Sequence, residues 1–189
     1  MKKIILASAS PRRIEMMRDN GFEPEVIPAH IDERLPLSMT PEASVMYLAL
    51  KKAAHVKGTV SDEDSIIIAA DTVVVYKERI IGKPRNAEEA FKTLSELRAD
   101  MHHVITGVCI LKTREKHITK ICFYDKTSVF FKAYSDDELK SYVNTPEPYD
   151  KAGGYAIQGT FGKYVDHIDG NLDNVIGFPW KMIYPYIKA

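Results

Sequence analysis

The stretch Ser65-Ile-Ile-Ile-Ala-Ala-Asp-Thr-Val-Val-Val75 decides how the chain is read. Its apolar residues do not alternate with polar ones. Branched side chains fall at both parities. That pattern marks a strand covered on both faces, as in an α/β sheet, rather than a strand with one wet face. Asp71 is the only charge in the run. A carboxylate there is costly to desolvate unless a cation, a metal or a set of donors meets it. Asp is also a poor strand former. Positions that break local rules in this way tend to be functional. The bland alternative is a structural Asp that ends a strand or accepts loop amides.

Outward from this strand, helical and extended patterns alternate. Residues 3–7 read as a strand and 11–20 as a helix, with Ser10 as N-cap, Pro11 at N1 and Gly21 as the stop. Residues 25–28 read as a short strand and 31–38 as a loop. Thr40 caps a long helix over 41–57. The central strand, 66–76, turns through Lys77-Glu78-Arg79 into Ile80-Ile81. Asn86 caps a helix reaching Leu97, and Glu89 at N3 predicts a capping box. Long strands at 103–112 and 118–132 flank a polar turn at 113–116. Ser135 and Glu138 predict a second capping box, for a helix ending near Val143. The glycine-rich tail, 151–179, reads as short strands alternating with turns. A last short helix starts at Pro179, limited by Pro185. Early alternation and late strand pairing predict an α/β fold with a mixed sheet. The chain reads as one domain over 1–189, with a second lobe at about 86–144 and a ligand cleft between lobes.

The chain has 189 residues, with 26 acidic and 26 basic, so no global field favours nucleic acid or an acidic membrane. No apolar run approaches the roughly 18 residues of a membrane span. Met1-Lys-Lys-Ile-Ile-Leu-Ala-Ser8 begins like a signal peptide, but its apolar part is short and Pro11-Arg12-Arg13 cuts it off. A cytoplasmic protein is expected, with neither a nucleic-acid nor a membrane partner. Cys109 and Cys122 lack C-x-x-C spacing and read as reduced, buried thiols. The six histidines show no ligand spacing, which argues against zinc.

Several segments carry anion chemistry. Ser8-Ala-Ser-Pro-Arg-Arg13 joins a strand to a helix N-terminus, where free amides and the helix dipole favour anions. Ser8 and Ser10 add hydroxyls, and Arg12 and Arg13 add forked donors matched to phosphate. The alternative is a plain N-cap beside a solvated basic turn. Val45, Leu48, Ala49, Lys52 and Val56 follow helical spacing, which turns Lys52 inward and leaves Lys51 outside. An inward ammonium needs an anionic partner, unless it snorkels past the edge of the stripe. Gly82-Lys-Pro84 could present an ammonium to a polyphosphate, or form an ordinary turn. Asp32-Glu33 lies in a loop. One of these carboxylates could join Asp71 in holding a divalent ion; otherwise both are solvated. Gln158 ends a glycine-rich segment, and its amide can both donate and accept, which suits the edge of a base. A structural turn is the alternative there.

The ordered set resembles the Maf family of nucleoside triphosphate pyrophosphatases. The residues that carry the likeness are Ser8-Ala-Ser-Pro-Arg-Arg13, Ala70-Asp-Thr-Val73, Gly82-Lys-Pro84, Thr106-Gly-Val108, Asp150-Lys-Ala-Gly-Gly-Tyr-Ala-Ile-Gln-Gly159, Ile168-Asp-Gly170 and Asn174-Val-Ile-Gly-Phe-Pro179. They span nearly the whole chain in family order. The resemblance implies an inosine-triphosphatase-like α/β fold, two lobes around a central cleft, and hydrolysis of the α–β phosphate bond. It implies Asp71 as proton acceptor, with Glu33, Lys52 and Lys83 completing the catalytic set. It implies that Arg13, Thr72 and Gln158 mark substrate choice, in the pattern of the branch acting on dTTP and UTP rather than 7-methyl-GTP. Mg²⁺ or Mn²⁺ is the expected cofactor, with Asp71 and Glu33 as its candidate ligands; whether Asp71 takes the proton or holds the metal stays open at the level of sequence. A nucleoside triphosphate is the expected partner, and a homodimer the assembly suggested by the family. Phe178 departs from the Leu common in the family. Two rivals remain: an enzyme cleansing inosine or xanthosine triphosphate, and a non-catalytic nucleotide-binding regulator of cell division.

Overall fold

The structure, a computed structural model, describes residues 3–36, 38–60, 64–115 and 117–188. Lys116, which closes the turn expected at 113–116, and Leu37, in the expected 31–38 loop, lie outside the described residues. By internal contacts the chain divides into two compact units. One contains Met1–Asp71, Thr106–Asp125 and Gly177–Ala189; the other contains Thr72–Ile105 and Lys126–Ile176. The second shares residues 86–105 and 126–144 with the lobe expected from sequence.

The strands are β1 (Lys3–Leu6), β2 (Glu25–Val26), β3 (Ser65–Tyr76), β4 (Arg79–Ile81), β5 (Met101–Arg114), β6 (His117–Phe131) and β7 (Val165–Asp169). The helices are α1 (Pro11–Asp19), α2 (Pro41–Lys57), α3 (Ala87–Leu97), α4 (Asp136–Val143), α5 (Leu172–Ile176) and α6 (Trp180–Ile187). The sheet runs β2-β1-β3-β5-β6-β7, with β4 beside β3. β1 is parallel to β2 and β3, whereas β4 is antiparallel to β3 and β7 to β6. The α/β class and the mixed sheet are as expected.

In the first unit the two parities of β3 go to two different cores. Ile66, Ile68 and Ala70 pack with Leu6, Val108, Ile110 and the apolar residues of α1 and α6. Ile67 and Ala69 pack with Ile5, Cys109 and the Ala49, Ala53 and Val56 stripe of α2. This double coverage is why the strand lacks alternation. Asp71 has the parity of Ile67 and Ala69, which directs it to the α2 side. α2 lies close to β5 at Gly107, where a Cβ would stand 2.4 Å from the Val45 carbonyl carbon. Among the described residues no helix is long and apolar enough to cross a membrane.

The second unit is built around aromatic rings. Phe131, Tyr134, Tyr142, Tyr155, Phe161 and Tyr164 pack with Ala90, Leu94 and Leu97 of α3 and Leu139 and Val143 of α4. His102 is buried among them and shares a 2.6 Å hydrogen bond with the Tyr155 hydroxyl. Burial pulls its imidazole down to about 3, with His103 adding to the effect and Asp100 opposing it.

Five local expectations are revised. Ser10 occupies the N-cap of α1 without a side-chain cap bond; its amide instead donates to Ser8 Oγ at 3.3 Å. Asn86 caps α3, but the Glu89 carboxylate accepts from the Arg85 amide and guanidinium instead of the Asn86 amide, so a charged donor replaces the neutral one. The tail carries a single strand, β7. The rest holds 3₁₀ turns at Ala152–Gly154 and Thr160–Tyr164 and the short helix α5; Gly153 and Gly154 supply positive φ of 71° and 74° to the first turn. Pro185 lies inside α6, because burial of Ile183 and Ile187 outweighs one missing amide. Cys122 is exposed, on the part of β6 with no β7 beside it, whereas Cys109 is buried. The Ser135–Glu138 capping box forms as read.

Two outcomes follow from this packing. Gly107→Ala should lower stability by about 2 kcal/mol or more, because the methyl meets backbone rather than a side chain that could move; a urea melt measures it. His102 is neutral when folded but titrates near 6.5 when unfolded. The unfolded state therefore binds the extra proton below that value, and stability falls as pH drops from about 6.5 toward 3. The loss should reach about 2 kcal/mol at pH 5. His102→Gln should flatten that part of the pH profile in denaturant melts at pH 7 and pH 5.

Candidate active site

Asp71 ends the first unit's share of β3, and its carboxylate does not go unmet. Lys52 Nζ, from the fourth turn of α2, donates to Asp71 Oδ1 at 2.6 Å. The same ammonium lies 2.7 Å from Glu33 Oε1. The Lys52 and Asp71 side chains are each only 13% exposed, whereas Glu33 is 60% exposed. The helical phase read from sequence therefore holds: Lys52 is inward, while Lys51 donates to the Asp32 carbonyl. The two neighbouring loop carboxylates take different partners. Asp32 folds onto its own loop, accepting from the Arg34 amide at 3.0 Å and pairing with the Arg34 guanidinium at 2.6 Å. Glu33 is the carboxylate that reaches Lys52.

The β1–α1 junction lies beside this triad. Arg13 Nη1 donates to Ser8 Oγ at 3.0 Å and to the Ala70 carbonyl at 2.8 Å; Nε donates to the Gly177 carbonyl at 2.9 Å. The guanidinium thus ties together the end of β1, the residue before Asp71 and the turn before α6. Burial pulls Arg13 down to about 10. The Asp71 carboxylate opposes this most, Arg12 adds to it and Glu33 opposes it weakly. At neutral pH the group stays charged. Arg12 is half-buried one residue earlier on α1. Gly177 was not among the expected functional positions: it contributes only a carbonyl, and a carbonyl partner leaves no trace in side-chain type. Its φ of 102° is the one signal that singles it out.

Thr72, Lys83 and Gln158 belong to the second unit. Thr72 is half-buried on β3, and Lys83 is exposed just after β4. Gly82 is not in the positive-φ region, and a Cβ there would meet nothing within 4 Å, so this turn does not require glycine. The Gly82 carbonyl accepts from the Gly153 amide at 3.0 Å, linking the Gly82-Lys-Pro84 segment to the glycine-rich one. Gln158 is exposed in a turn closed by a 3.0 Å bond from the Gly159 amide to the Ala156 carbonyl.

The Maf-like protein family model matches residues 3–189. The chain belongs to the Maf-like protein family. A relative from Caldicellulosiruptor bescii, named dTTP/UTP pyrophosphatase, is 45% identical over 181 residues, covering 95% of this chain and 90% of its own. A Geobacillus protein of the same name is 41% identical over 188 residues, covering 100% of this chain and 98% of its own. A third so named, from Bacillus cytotoxicus, is 42% identical over 188 residues, covering 100% and 95%. The matches run through both units of the Maf-like chain, so the Ser8, Asp71, Lys83 and Gln158 segments all lie within them.

The triad separates two neighbouring lysines. Lys52→Ala should remove most catalytic turnover and strip Asp71 of its ammonium; Lys51→Ala should change kcat/KM less than about threefold. Asp71→Asn should lower kcat by roughly 10²-fold, the scale of losing a general base. It should cost at most about 1 kcal/mol of stability, because Lys52 retains Glu33. Thermal melting and kcat on one preparation separate this from a merely structural Asp71, which would show the reverse pattern.

Proposed function

We propose that this chain hydrolyses dTTP and UTP between the α- and β-phosphates, releasing a nucleoside monophosphate and pyrophosphate. The observation that carries the reading is the Glu33–Lys52–Asp71 triad beside the Ser8–Arg13 junction: a positioned carboxylate, an ammonium and an anion-binding helix start in one unit. The relatives' shared name supports the same activity.

A divalent cation fits the donor set. Asp71 and Glu33 offer hard oxygens that converge on one point, within 2.6 and 2.7 Å of the Lys52 ammonium. Among the described residues no group of three or more His, Cys, Asp or Glu could enclose a metal by itself. Mg²⁺ or Mn²⁺ is commonly held by one or two carboxylates, with phosphate oxygens and water completing the shell. Once bound, such an ion would neutralise charge developing on the phosphates.

The chain's own residues supply the other parts. Asp71 accepts a proton from the attacking water, whose oxygen bonds to the α-phosphorus as the bridging α–β P–O bond breaks. The electron pair of that bond leaves on pyrophosphate. Lys52 orients the Asp71 carboxylate and offers its ammonium to the phosphates. Arg12 at the start of α1 binds phosphate oxygens, with Ser8 and Arg13 shaping that junction. Roles for Lys83 on the polyphosphate, and for Thr72 and Gln158 in nucleotide choice, rest on the family resemblance.

A nucleotide panel tests the reading. Pyrophosphate release from dTTP, UTP, dCTP, ITP and XTP, measured after adding an inorganic pyrophosphatase, should favour dTTP and UTP, and turnover should vanish in excess EDTA. Faster hydrolysis of ITP and XTP would move the chain to the purine-cleansing class. Undiminished activity in EDTA would remove the metal.

A further inference from the structure

The turn that presents Gln158 is held from outside by a carboxylate with no part in the site so far described. Glu147 opens the 3₁₀ turn Glu147–Asp150. Its carboxylate accepts the Thr160 amide on both oxygens, at 3.1 and 3.2 Å, and the Thr160 hydroxyl at 2.7 Å on Oε2. The Tyr142 hydroxyl, from α4, reaches Oε1 at 3.4 Å. Between the turn and this carboxylate there is no room for a side chain: a Cβ on Gly159 would lie 1.9 Å from Glu147 Oε1. On its other side the turn is equally tight, since a Cβ on Gly162 would lie 2.1 Å from the Ile157 carbonyl oxygen. Glu147 is fixed in turn. Its carbonyl accepts Lys151 Nζ at 2.7 Å, and its amide donates to Thr145 Oγ1 at 3.3 Å.

We infer that Glu147 is a positioning residue for nucleobase discrimination: through Thr160 and the glycine contact it sets the orientation of the 156–159 turn, and so the direction of the Gln158 amide. The inference rests on the proposed role of Gln158 in nucleotide choice. The physical logic is preorganisation. An exposed glutamine has rotamer freedom to lose, and a rigid turn removes backbone freedom in advance, leaving only the side chain to order on binding. Charge-assisted bonds from one carboxylate to an amide and a hydroxyl of the same residue fix that residue better than neutral pairs would. Glycines at 159 and 162 suit this arrangement because backbone, rather than side chains, fills the space.

The test compares kcat/KM for dTTP and dCTP in the full-length protein and in Gln158→Ala, Glu147→Ala, Glu147→Gln, Thr160→Val and the Glu147→Ala/Gln158→Ala double variant. Gln158→Ala should cut the dTTP preference about tenfold. Glu147→Ala should cut it by a similar factor, mainly through KM, and the double variant should lose no more than either single change, because both act through one contact. Glu147→Gln keeps an acceptor for Thr160 and should retain the preference within about threefold. Thr160→Val removes the shortest of the bonds with little change of shape and should give an intermediate loss. If Glu147→Ala does not fold, Thr160→Val decides. A folded Glu147→Ala or Thr160→Val enzyme with the full preference overturns the latch, provided Gln158→Ala has lost it. A Gln158→Ala enzyme that keeps the preference overturns the Gln158 reading, and the latch with it. A purely structural Glu147 would lower the melting temperature and scale both substrates equally, leaving the ratio unchanged.

Discussion

An ammonium shared by two carboxylates organises the first unit. Asp71 sits at the end of a strand segment buried on both faces, where a lone carboxylate would face a large desolvation cost. Lys52 meets it at 2.6 Å and Glu33 at 2.7 Å. For Lys52 to be there, α2 must lie close to the sheet, and Gly107 permits that by putting backbone against backbone. For Asp71 to point toward α2, β3 must keep its register from Ile67 onward, which its parallel pairing with β1 enforces. The ion triad is therefore the end point of a chain of constraints set by backbone approach and strand register.

Arg13 plays a complementary part. Its guanidinium spends donors on Ser8 Oγ and on the carbonyls of Ala70 and Gly177. Three sequence-distant segments of the first unit converge on one planar cation, a task for which the guanidinium fork suits better than a lysine. It remains charged although burial pulls its pKa down to about 10, because the Asp71 carboxylate opposes the desolvation. Such an arginine orders the β1–α1 junction, with Arg12 half-buried one residue earlier.

The second unit solves a different problem. Its core is aromatic, and it hides the polar tips by pairing them. His102 pairs with Tyr155, the Tyr134 hydroxyl donates to the Leu94 carbonyl, and the Tyr142 hydroxyl donates to the Gly154 carbonyl at 3.0 Å. Burial raises the Tyr134, Tyr142 and Tyr155 phenols, so these rings stay neutral and hydrogen-bonded in ordinary conditions.

The amino-acid sequence by itself determined the α/β class, the extent of α2 and its Thr40 cap, the inward phase of Lys52 and the anomaly at Asp71, because periodicity, caps and a misplaced charge are local signals. The Maf-like resemblance was legible for the same reason: its motifs are short and keep their order. Only the tertiary structure decided which of Asp32 and Glu33 reaches the lysine, since both lie in one loop and the answer depends on where a helix 19 residues later places its ammonium. It alone replaced the expected strands at 151–164 with 3₁₀ turns, moved Glu89 from its capping box to Arg85, and showed the carbonyls of Ala70 and Gly177 as arginine partners. These outcomes rest on backbone atoms and on competition between alternative partners, and neither is written in the identity of any single residue.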